Sequence, residues 1–192
     1  MMDRRTRWPQ EKYASSLSKT SLDDKKAYSL LYDISVPVCN VDALKDDVCD
    51  LLRPQYPLHS CDALYVKKTN GLCLLEFKNQ EQNKVKANQI RIKAFDSLAL
   101  LNGSWYEDVS PLEFRRNVTL FVIYKGKSDS DSSFGAIKSG IKALTSLANE
   151  EPILFGLDAF VDFFHEIHTV TKEEFCSTYW TSVFGTPCPA DV

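Results

Sequence analysis

The chain has little of what marks several protein classes. Its 192 residues include seven glycines and eight prolines, too few for a collagen-like or low-complexity protein. No apolar run approaches the roughly 18 residues that a membrane-spanning helix needs. The basic segment 1–9 is not followed by an apolar stretch, so it does not resemble a secretory signal. We therefore expect a cytoplasmic protein with no membrane association, and the length predicts a single domain over residues 1–192.

The six cysteines also lack the spacing of a zinc or dithiol site. No two of them are separated as Cys-x-x-Cys, and no histidines accompany them at zinc-finger spacing. Cys73 lies within the apolar run 72–75, where a thiol acts as a small hydrophobic group. We expect reduced, mostly buried cysteines. The sequence has no Gly-rich phosphate loop, Gly-x-Ser-x-Gly elbow or dinucleotide fingerprint, so nothing in it indicates the enzyme classes that use them.

The acidic average charge hides a basic region in the middle of the chain. The formal net charge is −3 at pH 7, which argues against a protein that simply coats nucleic acid. Residues 63–93, however, contain seven basic and two acidic side chains, a net charge of +5. This distribution is compatible with one local polyanion site on an acidic body. It is also compatible with a solvated, lysine-rich face.

Hydrophobic periodicity and turn signals predict alternating helices and strands. We expect helices over residues 21–31 (with Ser21 as N-cap), 41–52 (with Asn40 as N-cap), 84–101 (closed by Asn102-Gly103), 134–147 and 171–184, the last begun by a capping box and followed by Gly185. We expect strands over residues 61–67, 72–79, 117–124 and 153–157, a loop over 125–133, and either state for 158–170.

This order predicts an α/β fold with a mixed β-sheet flanked by helices. The core is expected at about residues 41–124, with a C-terminal extension of helix and strand over 134–185. The polar first 20 residues show little periodicity and are expected to form a mobile or weakly docked arm.

Three ionisable residues stand out in the predicted hairpin. Asp62 lies at the start of its first strand, and Glu76 and Lys78 lie in the second strand, within an otherwise apolar run. Residues at i and i+2 of a strand point to the same face, and buried charge is costly unless it is paired or binds a metal. Two carboxylates offer hard oxygen ligands to Mg²⁺, and a lysine can orient a water and stabilise charge on a phosphate.

The hairpin register tests this chemistry. A two-residue loop at Asn70-Gly71 would put Asp62 on the face away from Glu76 and Lys78. A three-residue loop over 69–71 would place Lys68 opposite Leu72 and Asp62 opposite Lys78, with all three groups on one face. The sequence favours the three-residue loop, so the chemical hypothesis predicts a shared face.

These segments resemble the PD-(D/E)xK phosphodiesterase superfamily, which has the restriction-endonuclease-like fold. The resemblance is carried by Asp62 at a strand start, Glu76-x-Lys78 at the end of the next strand, the following helix, and the apolar strand after it. It covers about 60 residues. The resemblance implies an αβββαβ core, Asp62 and Glu76 as ligands of Mg²⁺ or Mn²⁺, and Lys78 as the catalytic lysine of a nuclease.

Several other residues are candidates for the same site. Members of this superfamily often add an acid from the first helix, and Asp47 lies nearest the apolar stripe of that helix, although a surface role is also open. Lys93 borders the apolar stripe of the helix after the hairpin and could reach a phosphate. Lys67, Lys68 and Arg91 would attract a nucleic-acid backbone, or would simply be solvated.

Besides an interaction module that uses the acidic, aromatic-rich C-terminal half, the sequence leaves two functions open. The first is a Mg²⁺-dependent nuclease that hydrolyses phosphodiester bonds of nucleic acid. The second is a catalytically inactive protein of the same fold that acts as a binding or scaffold module, in which Lys78 would form a structural ion pair with Asp62 or Glu76. A homodimer or a protein partner is compatible with either function.

Overall fold

The computed structural model describes residues 11–23, 28–31, 36–69, 71–105, 110–126 and 152–189. Within them the main sheet consists of β1 (Ala14–Ser16), β4 (Pro37–Asn40), β5 (Ala63–Val66), β6 (Leu72–Glu81), β7 (Val118–Lys125) and β8 (Glu166–Thr171). A separate two-stranded ribbon pairs β2 (Leu22–Asp23) with β3 (Tyr28–Ser29). The helices are α1 (Leu17–Thr20), α2 (Val41–Leu52), α3 (Ala87–Trp105), α4 (Pro111–Arg115), α5 (Lys172–Glu174) and α6 (Trp180–Phe184), and a π-helical turn (Phe175–Tyr179) joins the last two.

The six strands form one mixed sheet in the order β1-β4-β5-β6-β7-β8. The pairs from β1 to β6 are antiparallel, whereas β6, β7 and β8 run parallel. Strand β7 is buried along its whole length except at Lys125, as expected for an apolar run covered on both faces. The predicted α/β class is therefore confirmed.

Two hydrophobic cores lie on opposite faces of this sheet. On one face, Leu74 and Leu120 belong to the core that includes Ile90 and Leu98 of α3; we call this the α3 face. On the other face, Cys73 and Phe121 belong to the core that includes Leu17 and Trp180. The alternation along β6 and β7 therefore decides which side chains meet α3.

The strand count between the two long helices differs from the order that the resemblance implies. An αβββαβ core has three strands between its helices, whereas α2 and α3 enclose only β5 and β6. A third antiparallel strand, β4, does lie beside β5 in the sheet, but it precedes α2 in the chain. The local order is therefore helix, strand, strand, helix, strand.

Three predicted helix ends are confirmed by their hydrogen bonds. The Asn40 side chain accepts from the Ala43 amide at 3.1 Å and so begins α2. Thr171 and Glu174 form the predicted capping box, and Gly185 ends α6 with φ of 72°. The predicted end of α3 at Gly103 is wrong, because the helix continues to Trp105. A Cβ at Gly103 would meet nothing within 4 Å, and one glycine costs a helix only about 1 kcal/mol.

The predicted helix over residues 21–31 is also wrong. In its described parts, 21–23 and 28–31, ribbon β2–β3 pairs Leu22 with Ser29, and the Ser21 carbonyl accepts from the Leu30 amide at 3.1 Å. The Ser21 hydroxyl donates to the Leu31 carbonyl at 3.0 Å and accepts from the Leu31 amide at 3.1 Å. A serine side chain that satisfies a distant backbone pair competes with helix formation. Leu30 and Leu31 are both fully buried, so burial here does not follow one helical stripe.

Residues 153–157 form a turn instead of the predicted strand. Phe155 and Gly156 have φ of 62° and 66°, and the Leu157 amide donates to the Leu154 carbonyl at 3.2 Å. These features define a type I′ turn. The segment 158–170, which fitted either state, divides into a 3₁₀ segment (Asp158–Phe163) and strand β8. The predicted helix over 134–147, and the predicted loop beyond residue 126, lie outside the described residues.

The described part of the N-terminal segment is docked on the sheet. Strand β1 pairs with β4, and both Tyr13 and Leu17 are buried. This differs from the expected mobile or weakly docked arm, because the mostly polar side chains of this segment show no apolar periodicity although the backbone of β1 pairs with β4 at the sheet edge. Residues 1–10 lie outside the described part. Among the helices that are described, none combines the length and apolarity that crossing a membrane requires.

Candidate functional site

The hairpin β5–β6 carries Asp62 and Glu76 to the same face of the sheet. Ala63 lies opposite Leu75, and Val66 lies opposite Leu72. The predicted pairing of Lys68 with Leu72 is therefore wrong by two residues, since the Lys67 amide already bonds the Gly71 carbonyl at 2.8 Å. A shift of two residues preserves the face of every side chain. The shared face is confirmed, and it is the α3 face.

Asp62 is held at the open end of the hairpin by backbone contacts. Its amide donates to the Leu75 carbonyl at 3.1 Å. Its Oδ2 atom accepts a hydrogen bond from the Phe77 amide at 2.6 Å. Asp62 lies just before the first residue of β5, so its carboxylate, and not a backbone carbonyl of β5, accepts the hydrogen bond from the β6 amide. These contacts fix the direction of the Asp62 side chain.

Glu76 is the most deeply buried charged group of the site, with a side chain that is 1% exposed. Its Oε1 atom lies 2.6 Å from Lys78 Nζ and 2.9 Å from Lys93 Nζ. Both contacts are ion pairs without a hydrogen bond, because neither has the angles that a hydrogen bond to Oε1 requires. Its Oε2 atom accepts a hydrogen bond from Lys93 Nζ at 3.0 Å. Two lysines therefore compensate one buried carboxylate.

Lys93 reaches the site from α3, beside the apolar residues that pack on the sheet. Besides its contacts with Glu76, its Nζ donates to Asp62 Oδ1 at 3.0 Å. We call Asp62, Glu76, Lys78 and Lys93 the carboxylate–lysine cluster. It holds two formal negative and two formal positive charges, which balance. The structure places Lys93 between the two carboxylates, a bridging position that the sequence did not predict, and its contact with a phosphate stays a prediction.

The environment shifts the titration of two members of this cluster. Burial and the neighbouring Glu76 carboxylate raise the pKa of Asp62 to about 7, although Lys93 and the Phe77 amide oppose the shift. Burial would lower the pKa of Lys93, but the Glu76 and Asp62 carboxylates outweigh that effect and raise it above its usual value. Lys93 is therefore an ammonium ion at neutral pH.

The carboxylate oxygens of Asp62 and Glu76 suit Mg²⁺ or Mn²⁺, which need few protein ligands, better than a metal that needs three or more. Among the residues that the structure describes, no group of three or more His, Cys, Asp or Glu side chains could hold a metal. Mg²⁺, however, is typically bound by one or two carboxylates, waters and substrate phosphates. Asp62 Oδ1 and both oxygens of Glu76 converge on one cation, the Lys93 ammonium. The two carboxylates thus share a cation position.

The remaining predicted residues do not join the cluster. Asp47 accepts a hydrogen bond from the Tyr13 hydroxyl and pairs with Lys12, both at 2.9 Å, so its partners lie in the N-terminal segment. Lys67 and Lys68 lie at the closed end of the hairpin, where Lys67 bonds to Gly71, five residues before Glu76 and roughly 17 Å away in a strand. Arg91 lies on α3 next to Gly156.

Two further α3 residues position the segment that leads to Asp62. Ser97 is fully buried, and its hydroxyl accepts from the Cys61 amide at 2.7 Å. Asp96 accepts from the His59 amide at 2.9 Å. Together with Lys93, these residues form an i, i+3, i+4 polar row beside the apolar stripe of α3. That row is a sequence signal from which their role could have been inferred.

Comparison of the chain with protein-family models, with curated proteins and with solved structures found no match. The functional argument therefore depends on the geometry of the carboxylate–lysine cluster and on the motif that predicted it.

Proposed function

We propose that the protein is a nuclease-like phosphodiesterase that depends on Mg²⁺ or Mn²⁺ and acts on nucleic acid. The observation that carries this proposal is the convergence of Asp62 and Glu76 on one cation position. Lys78 also contacts the Glu76 carboxylate. The sequence resemblance to the PD-(D/E)xK superfamily at Asp62 and Glu76-x-Lys78 supports the proposal, although only two of the three expected strands lie between the long helices. In that assignment Asp62 and Glu76 are the metal ligands and Lys78 is the catalytic lysine.

In the proposed hydrolysis, a bound metal ion and the side chains of the cluster would have different roles. A bound divalent cation would polarise a phosphoryl oxygen and lower the pKa of a water molecule. Asp62 and Glu76 supply negative charge to hold the ion, and their directions are fixed by the Phe77 amide and by the two lysines. Lys78 donates from its ammonium, so it can orient the attacking water and stabilise negative charge on the phosphate.

Three side chains of the cluster are partly exposed, and the fourth is buried. The Glu76 side chain is 1% exposed, whereas those of Asp62, Lys78 and Lys93 are 17%, 19% and 22% exposed. In the proposed function, a phosphate would therefore contact the two partly exposed lysines and not Glu76. The partly dry surroundings also strengthen electrostatic interactions with a developing charge.

A second function is favoured by the ion pairing itself. All four charged side chains of the cluster have partners of opposite sign, as a structural network in an inactive binding or scaffold protein would require. Breaking one member of a buried, satisfied network is strongly destabilising even without a catalytic role. Metal binding separates the two functions, because the scaffold has no use for an ion between the carboxylates.

Calorimetry with MnCl₂ and MgCl₂ on the full chain tests the choice. We expect binding by the native protein and loss of binding by Glu76→Gln, which keeps the side-chain shape and removes the charge. The matched control is Glu81→Gln on the same strand, whose side chain is 35% exposed and pairs with Lys84 at 3.2 Å. An absence of binding by the native protein would favour the scaffold. Cleavage of plasmid, single-stranded DNA and RNA in the same buffers then identifies the substrate.

A further inference from the structure

Lys93 occupies the position that a metal bound by both carboxylates would need. Its Nζ lies 3.0 Å from Asp62 Oδ1, 2.9 Å from Glu76 Oε1 and 3.0 Å from Glu76 Oε2. A Mg²⁺ ion lies about 2.1 Å from its oxygen ligands. An ion that binds Asp62 and Glu76 together must therefore take the space of the ammonium group. The two cations exclude one another.

We infer that Lys93 is an internal counter-ion that a divalent metal displaces, and that the released ammonium then binds the substrate phosphate. This inference rests on the proposed function. In the metal-free protein, Lys93 neutralises the buried Glu76 carboxylate, which would otherwise carry an uncompensated charge. In the metal-bound protein, the ion takes over that neutralisation, and Lys93 stays beside the site with no carboxylate partner there.

Lys93 is suited to leave because of its exposure. Its side chain is 22% exposed, and a lysine stem can swing its ammonium group toward solvent. Glu76 has no such freedom, since its side chain is 1% exposed and lies beneath α3. Lys78 also contacts Glu76, but it does not bridge to Asp62 in the way that Lys93 does. Lys93 is therefore the residue whose movement opens the metal position.

The exchange couples metal binding to substrate binding. A phosphodiester that attracts Lys93 removes the competitor of the metal, and a metal that displaces Lys93 creates a free cation for the phosphate. By linkage, each ligand must raise the affinity of the other by the same factor. In the absence of a polyanionic substrate, the site should therefore bind a metal more weakly, because the ion must displace Lys93 unaided.

Calorimetric titration of the full chain with MnCl₂ tests the displacement. We expect Lys93→Met to bind Mn²⁺ more tightly than the native protein by at least about tenfold, because a charge-assisted hydrogen bond no longer has to be broken. The control is Lys84→Met, which removes the same charge from a side chain that is 65% exposed and outside the cluster. Its affinity should match that of the native protein.

Thermal unfolding with EDTA and with MnCl₂ covers the case in which Lys93→Met is unstable. We expect this variant to melt below the native protein in EDTA and to gain more from Mn²⁺ than the native protein does. Equal Mn²⁺ affinity in the native protein and Lys93→Met would overturn the inference and leave the proposed function standing. Loss of the fold without rescue by Mn²⁺ would make Lys93 a structural counter-ion only. An absence of binding in both proteins would overturn the proposed function as well.

Discussion

The Asp62 carboxylate accepts a hydrogen bond from the Phe77 amide at 2.6 Å, across the open end of a hairpin whose strand β5 begins only at Ala63. The side chain thereby completes a backbone ladder and also contributes a charge to the cluster. Its two roles can be separated by substitution, because an amide oxygen can accept the same hydrogen bond without carrying the charge.

Asp62→Asn and Asp62→Ala should therefore differ. We expect Asp62→Asn to unfold in urea close to the native protein and to lose Mn²⁺ binding. We expect Asp62→Ala to lose about 1–3 kcal/mol of stability as well, since the Phe77 amide is left without its acceptor. Equilibrium urea unfolding in EDTA measures the difference. Equal stability of the two variants would show that the hydrogen bond contributes nothing to the fold.

Lys78→Met should reduce catalysis far more than metal binding. Lys78 contacts Glu76 and not Asp62, so both proposed metal ligands remain in place. We expect cleavage to fall by about 10²–10⁴-fold, the usual contribution of a positioned proton-transfer or charge-stabilising group. The Mn²⁺ affinity should not fall, because both proposed ligands remain and one neighbouring cation is removed. Single-turnover cleavage and calorimetry provide the two measurements, and undiminished cleavage would assign the activity to another site or to a contaminant.

Metal-free stability should depend on pH through Asp62. Its pKa is raised from an ordinary value of 3.8 to about 7, so the folded protein binds this proton more tightly than the unfolded chain does. The stabilising contribution of protonated Asp62 is then present below pH 4 and is lost as pH rises toward 7. Relative to Asp62→Asn, the native protein should lose stability across this window. Urea midpoints in EDTA at several pH values test the sign, and a rise would contradict it.

Three cysteines should resist thiol reagents in the native protein. Burial raises the pKa of Cys39 to about 12 and that of Cys73 to about 11, and it raises the pKa of Cys61 well above its ordinary value. The reactive thiolate is therefore scarce and inaccessible at pH 8. We expect alkylation and mass spectrometry to find these three unmodified, whereas all six react in urea. Rapid modification of Cys61 would mean that the segment before Asp62 opens in the native state.

Local signals predicted the parts of the structure that local chemistry determines. Asn40 and Thr171 each satisfy backbone donors at a helix start, which their own neighbours in the chain decide. Strand β7 is buried on both faces and could be recognised from its continuous apolar run. The shared face of Asp62 and Glu76 was predictable because the turn residues favoured a three-residue loop, and odd or even spacing then decides the direction of each side chain.

The errors arose where distant contacts decide the structure. The hairpin register was wrong by two residues because such a shift changes no side-chain face, so the apolar pattern holds no information about it. Ser21 was interpreted as a helix cap, yet its hydroxyl binds the backbone of Leu31. The bridging by Lys93 depends on how α3 packs against β6. The periodicity of one sequence gives the position of a helix residue along the sheet only to within one helical turn.

The four cluster residues all lie between positions 62 and 93, and this closeness in the chain has a consequence for folding. A closed hairpin without α3 would bring the Asp62 and Glu76 carboxylates together with Lys93 absent, and two like charges at that distance repel. Docking of α3 delivers the Lys93 ammonium that removes the repulsion. Hairpin closure and helix docking should therefore be strongly cooperative, with short loops keeping the entropy cost of bringing the segments together small. In native-state hydrogen exchange, β5, β6 and α3 should consequently open as a single unit.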